Sequence, residues 1–128
     1  MGTPSLNPVD HSTPSVVLDE LLEQVMGDRE MLQILVRLFL DDLPGRVSEL
    51  EQAIGSRDPE RVRRAAHPSK GACAQLGAEP ARQALSAIEE AGKRREIEQA
   101  EALAPAGYAE LQRLAATLGT AVTAEGRA

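Results

Sequence analysis

His67, Lys70 and Gly71 are the residues of this chain whose types and spacing point to chemistry. They lie in the run Ala66-His67-Pro68-Ser69-Lys70-Gly71-Ala72-Cys73-Ala74. The spacing predicts a helix, and at about 3.6 residues per turn His67, Lys70, Gly71 and Ala74 then share one face. That face offers a nucleophile, a cation and a gap with no side chain. Imidazole, with a reference pKa of about 6.5, is largely unprotonated near neutral pH. Attack through a ring nitrogen gives a phosphoramidate, labile enough to pass its phosphoryl group to a carboxylate. Phosphoryl transfer is mainly positioning and charge stabilisation, so a carrier can leave the metal ion and most catalytic groups to its partner. Lys70 is a point charge within reach of phosphate oxygens. Gly71 removes a side chain that would obstruct docking. Glycine inside a helix costs roughly 0.5–1 kcal/mol relative to alanine, so a packing or functional reason is expected.

The surrounding helix decides which way His67 points. Val62, Ala65, Ala66, Ser69, Ala72, Cys73 and Leu76 recur at spacings of three and four, the pattern of a buried face. With Ser69 at the centre of that stripe, His67 lies about 160° around the helix, near Arg63, Gly71 and Ala74. A core histidine would sit on the stripe, and His67 does not. Arg61, Arg63, Arg64 and Lys70 crowd this helix although the whole chain carries a net charge of −6. A solvated basic face explains such a cluster in general. Beside an outward histidine, the preferred reading is that these residues attract an acidic partner surface and help neutralise a phosphoryl group.

The negative balance argues against a general nucleic-acid binder. At 128 residues the chain is expected to be one domain with a single core. Apolar residues make up 42% but aromatics only 2%, which favours packed helices over a sheet. The single Cys73 excludes an intrachain disulfide and falls on the buried stripe. No apolar run has the length of a membrane span, and the first residues lack an apolar signal core. A cytoplasmic protein with no membrane contact is expected.

Residues 1–15 are rich in Pro, Gly, Ser and Thr and read as a disordered tail that contains His11. A short helix is expected from Val17 to Met26. Asp28 caps a long helix with the apolar stripe Met31, Ile34, Leu35, Leu38, Phe39, Leu43, Val47, Leu50 and Ile54, kinked at Pro44-Gly45. Asp58 and Pro59 open the histidine helix, and Gly77 closes it. Glu79-Pro80 opens a helix with the stripe Ala81, Ala84, Leu85, Ile88 and Ala91. The last helix is expected from Arg95 to Val122, bent or split at Pro105 and Gly107, with residues 123–128 flexible. The fold class is all-α: an antiparallel four-helix bundle over residues 16–122 with a short additional N-terminal helix. A monomer is expected, because no helix shows a second sustained apolar face.

The histidine segment resembles the His-x-x-Lys-Gly motif of histidine-containing phosphotransfer domains, the phosphocarriers of multistep two-component signalling. Phe39-Leu40-Asp41-Asp42-Leu43-Pro44, Ala65-Ala66-His67, Gln75-Leu76-Gly77-Ala78 and Ile88-Glu89-Glu90-Ala91 extend the likeness over about residues 18–120. The resemblance implies that His67 is the phosphorylated nucleophile and that Lys70 stabilises the phosphate. It further implies that Gly71 gives partner access and that Glu89 orients the imidazole. Arg63, Arg64, Ala74 and Gln75 are the corresponding docking candidates. The implied partners are a hybrid sensor histidine kinase and a response regulator receiver domain, which brings the phospho-accepting aspartate and Mg²⁺. The chain itself is expected to hold no cofactor or metal.

Two residues depart from the family pattern. Pro68 follows the histidine, and a helical proline removes a backbone bond and costs about 3 kcal/mol or more, so a kink is expected there. Ser69 replaces the usual apolar residue at the middle of the stripe. A second reading follows: a protein that docks a receiver or kinase but exchanges little phosphate. A hydrolytic triad or zinc centre finds no support, because the only other histidine is His11 in the tail.

Overall fold

The structure, a computed structural model, describes residues 14–127, with side chains through residue 122. Five helices follow one another: α1 (Leu18–Gln24), α2 (Arg29–Gly55), α3 (Pro59–Leu76), α4 (Glu79–Lys93) and α5 (Ile97–Arg127). Local chemistry sets the ends. The Asp28 side chain accepts from the Met31 N–H at 3.0 Å, and Asp58 accepts from the Glu60 N–H at 3.1 Å, with Pro59 in the first turn of α3. Gly77 takes a left-handed φ of 69°, and the Ala78 N–H reaches back to the Cys73 carbonyl at 2.9 Å. With no Cβ, glycine adopts that conformation without strain.

The short connections make successive long helices antiparallel. α2 packs on α3, α3 on α4, α4 on α5 and α5 on α2, closing a four-helix bundle, while α1 lies against α2. The core is aliphatic, centred on Leu21, Val36, Leu50, Val62, Leu85, Ile88, Leu111, Leu114 and Leu118. The stripe of α4 is buried as expected, and so is that of α3, Ser69 and Cys73 included, except that Ala72 is half-buried.

α1 ends at Gln24 rather than Met26, because Met26 and Gly27 turn the chain with φ of 57° and 77°. α2 runs unbroken through Pro44 and Gly45, and α5 runs unbroken through Pro105 and Gly107 to Arg127, so α5 is not split. At Gly107 a Cβ would stand 2.9 Å from Ile88 Cδ1, so this glycine lets α5 approach α4. At the N-terminal side, Ser15 and Val16 are buried, and the Ser15 hydroxyl donates to Thr117 Oγ1 at 2.9 Å. The tail expected at 1–15 therefore stops short of Ser15, and its first thirteen residues, His11 among them, lie outside the described residues.

The largest correction concerns α2. Leu32, Val36, Phe39, Leu43, Leu50, Ala53 and Ile54 form its buried face, whereas Met31, Ile34, Leu35 and Leu38 are exposed. The N-terminal half of α2 is apolar over so much of its circumference that two stripes fit the spacing. The bundle buries one and leaves the other on the surface. α2 thus carries a second apolar face, contrary to expectation. No helix among the described residues is long and apolar enough to cross a membrane.

Candidate functional site

His67 stands at mid-height of α3 with 64% of its side chain exposed. Its Nδ1 lies 2.7 Å from Oε2 of Glu89 on α4, a residue only 3% exposed. An ionised carboxylate can only accept, so Nδ1 carries the proton and donates it. The lone pair is then on Nε2, on the exposed side of the ring. Oε1 of the same carboxylate pairs with Lys70 Nζ. Burial pushes the Glu89 carboxyl up, but the bonds from Lys70 and His67 outweigh this and hold it below the usual carboxylate range. Glu89 is therefore not a solvated surface residue: it fixes both the tautomer of His67 and the position of Lys70.

Pro68 leaves this arrangement intact. α3 is helical from Pro59 to Leu76, and His67 keeps its outward position. Proline cannot bond the carbonyl of Arg64, but Arg64 is on the exposed side, where water can replace the lost donor. The proline ring instead lines a groove of about 330 Å³ between α2 and α3, with Gly45, Arg46, Ala65 and Ser69.

Gly71, Ala74 and Gln75 are exposed. A Cβ on Gly71 would meet nothing within 4 Å among the described residues, so no contact with them requires glycine there. Gln75 borders a smaller groove of about 170 Å³ with Leu35, Leu38, Phe39, Ala72 and Leu76. Leu35 and Leu38 were missed as surface residues because their spacing also fits the buried stripe; the excess of apolar positions on α2 was the available signal. Arg63 holds Glu60 through two bonds, Nε–Oε1 at 3.0 Å and Nη2–Oε2 at 2.6 Å. Arg64 is more exposed, its Nε 3.9 Å from Glu60 Oε2. Cys73 is fully buried, and burial pushes its thiol up to about 12, which removes it as a nucleophile. Among the described residues, no group of three or more His, Cys, Asp and Glu side chains could hold a metal ion.

The Hpt domain family model matches residues 34–124, a span that contains α3, α4 and all the groups just described. The chain belongs to the Hpt domain family. Two solved structures show the same fold. Histidine-containing phosphotransfer protein B from Pseudomonas aeruginosa PAO1 superposes with a TM-score of 0.79 at 22% identity, covering 87% of this chain and 96% of that one. The HPT domain of the Hpt sensor hybrid histidine kinase from Shewanella gives a TM-score of 0.74 at 22% identity, covering 85% and 94%. No match was found among curated protein sequences. Within this Hpt domain, His67 and Gly71 are exposed on α3 with half-buried Lys70 beside them, and Glu89 reaches His67 and Lys70 from α4.

Proposed function

We propose that this Hpt domain is a cytoplasmic phosphohistidine carrier that relays a phosphoryl group between receiver-domain aspartates of a hybrid sensor kinase and a response regulator. The observation that carries this reading is the division of labour on one half-solvated imidazole: Nδ1 is held by buried Glu89, while Nε2 has no bonding partner among the described residues. In the forward step Nε2 attacks the phosphorus of an aspartyl phosphate, an N–P bond forms, and the P–O bond to the carboxylate breaks. The ring becomes positively charged, and its Nδ1–H remains on Glu89, whose negative charge stabilises that state. Return of the phosphoryl group to a second aspartate reverses the step. Lys70 stands beside the ring to offset charge on the phosphoryl oxygens, and the receiver supplies Mg²⁺, so the carrier acts as a transfer intermediate rather than an enzyme.

The partner surface is the exposed face around His67, with Gly71, Ala74, Gln75 and Arg64, and it continues into the apolar groove at Leu35 and Leu38. The docking-only alternative drew on Pro68 and Ser69. The Glu89–His67 contact favours the carrier, because it survives both substitutions. Incubation with a phosphorylated receiver tests this: acid-labile label is expected on wild type and not on His67→Gln. Receiver binding without label on wild type would establish the docking-only alternative.

A further inference from the structure

Arg63, His67 and Lys70 follow one another along α3 at spacings of four and three, on the side turned toward α4. α4 meets them with Glu89 and, one turn on, Gly92. A Cβ at Gly92 would lie 2.8 Å from the Pro59 carbonyl oxygen and 2.9 Å from the Arg63 nitrogen. The two helices therefore touch backbone to backbone at Arg63. This fixes the root of its side chain next to the turn that carries Glu89. The other arginines of α3 lie toward α2: Arg61 reaches Glu49 and Gln52, and Arg64, more exposed, stands 3.9 Å from Glu60 and lines the groove between α2 and α3.

A phosphoryl group on Nε2 brings close to two negative charges beside a carboxylate that already claims Lys70. One shared lysine compensates it incompletely. Arg63 is one turn before His67, and its guanidinium fork matches phosphate oxygens in a way an ammonium does not. In the unphosphorylated protein it is tied to Glu60, half-exposed on the surface, and such surface pairs are weak. Its guanidinium is held up chiefly by Glu60, and the field of Glu89 also reaches it, which places it beside the same charge cluster.

We propose that Arg63 is a second phosphate-binding residue: it leaves Glu60 and joins Lys70 on the phosphoryl oxygens once His67 is phosphorylated. The exchange makes and breaks no covalent bond; Glu60 returns to water. The inference rests on His67 being the phosphorylated residue, and it selects Arg63 from the basic cluster by its place against α4.

The test uses the full chain phosphorylated with phosphoramidate, which transfers its phosphoryl group to imidazole with release of ammonia and needs no docking partner. Phosphorus NMR then follows the titration of the phosphohistidine, with His67→Gln separating its signal from any on His11. The charged groups around it are Glu60, Arg63, Arg64 and Lys70 on α3 and Glu89 on α4. Bound cations favour the dianion, so Arg63→Gln is expected to raise the titration midpoint by roughly half a pH unit. Arg63→Lys is expected to restore part of the shift, while Arg64→Gln, the same change of charge on the side toward α2, gives a clearly smaller one. Equal shifts for Arg63→Gln and Arg64→Gln would overturn the proposal, as would a His67 that takes no phosphate from phosphoramidate. A relay that fails only with receivers would refute the carrier function and leave this result standing.

Discussion

Glu89 Oε2 lies 2.7 Å from His67 Nδ1, so a buried carboxylate of α4 holds an exposed imidazole of α3. The contact crosses between the two helices that pack most extensively, and Lys70 shares the same carboxylate. Removing the carboxylate frees the ring to take either tautomer. Glu89→Gln is expected to slow transfer from a receiver by on the order of ten- to a hundredfold, each tenfold being about 1.4 kcal/mol of barrier. Rapid-quench transfer rates measure this, and an unchanged rate would show that Glu89 plays no part in the step.

The same carboxylate links stability to pH. Its folded-state pKa is lowered, so the stabilisation it provides is present above the ordinary carboxylate range and is lost as pH falls through the folded value. Wild type is expected to melt above Glu89→Gln at neutral pH, with the gap closing as the pH drops below about 4. Thermal melts of both proteins across that window measure the gap, and one that widened on acidification would contradict the assignment.

Gly71 separates folding from docking. A methyl group there meets nothing within 4 Å among the described residues, and alanine gains roughly 0.5–1 kcal/mol over glycine in a helix. Gly71→Ala is expected to melt slightly higher, and Gly71→Leu to fold but exchange phosphate with a receiver at least about tenfold more slowly. Its phosphorylation by phosphoramidate, which needs no docking, is expected to be unchanged. Unimpaired exchange in Gly71→Leu would place the docking surface elsewhere.

Leu38 and Leu50 lie on the same helix and call for opposite outcomes. Leu38 is 57% exposed and Leu50 fully buried. Leu38→Ser is expected to leave the melting temperature nearly unchanged and to weaken receiver binding, while Leu50→Ala costs about 2–5 kcal/mol of stability. Calorimetric titration with a receiver, beside denaturant melts, distinguishes the two.

Gly92→Ala places a Cβ against backbone that cannot turn aside, and a loss of about 1–3 kcal/mol is expected. At Gly107 the opposing atom is the tip of Ile88, which can rotate, so Gly107→Ala is expected to cost less. Equal losses in chemical denaturation would show that the α3–α4 contact is not the tighter of the two.

The sequence was most legible where one spacing admitted one answer. The stripe of α3 has small or apolar residues on a single side, so the outward placement of His67 followed from helical geometry. The alanine-rich stripe of α4 was equally unambiguous. On α2 the apolar residues cover two faces, and only packing against α1, α3 and α5 decides which is buried; Leu35 and Leu38 were therefore misplaced. The prolines follow a related balance, since α2, α3 and α5 each run on through theirs. A missing backbone bond breaks a helix only where nothing compensates, and at Pro68 the freed carbonyl lies on the exposed side while the bundle holds the helix on its other face. The burial of Glu89 was not legible locally, since it depends on how α4 is rotated against α3.

The most direct test of the central claim is a two-step relay with wild type and His67→Gln: one labelled receiver, this chain, and a second unlabelled receiver. The account predicts acid-labile label on wild type that then appears on the second receiver, and none passed by His67→Gln. Label reaching the second receiver equally well through His67→Gln, or never leaving the first, would contradict it.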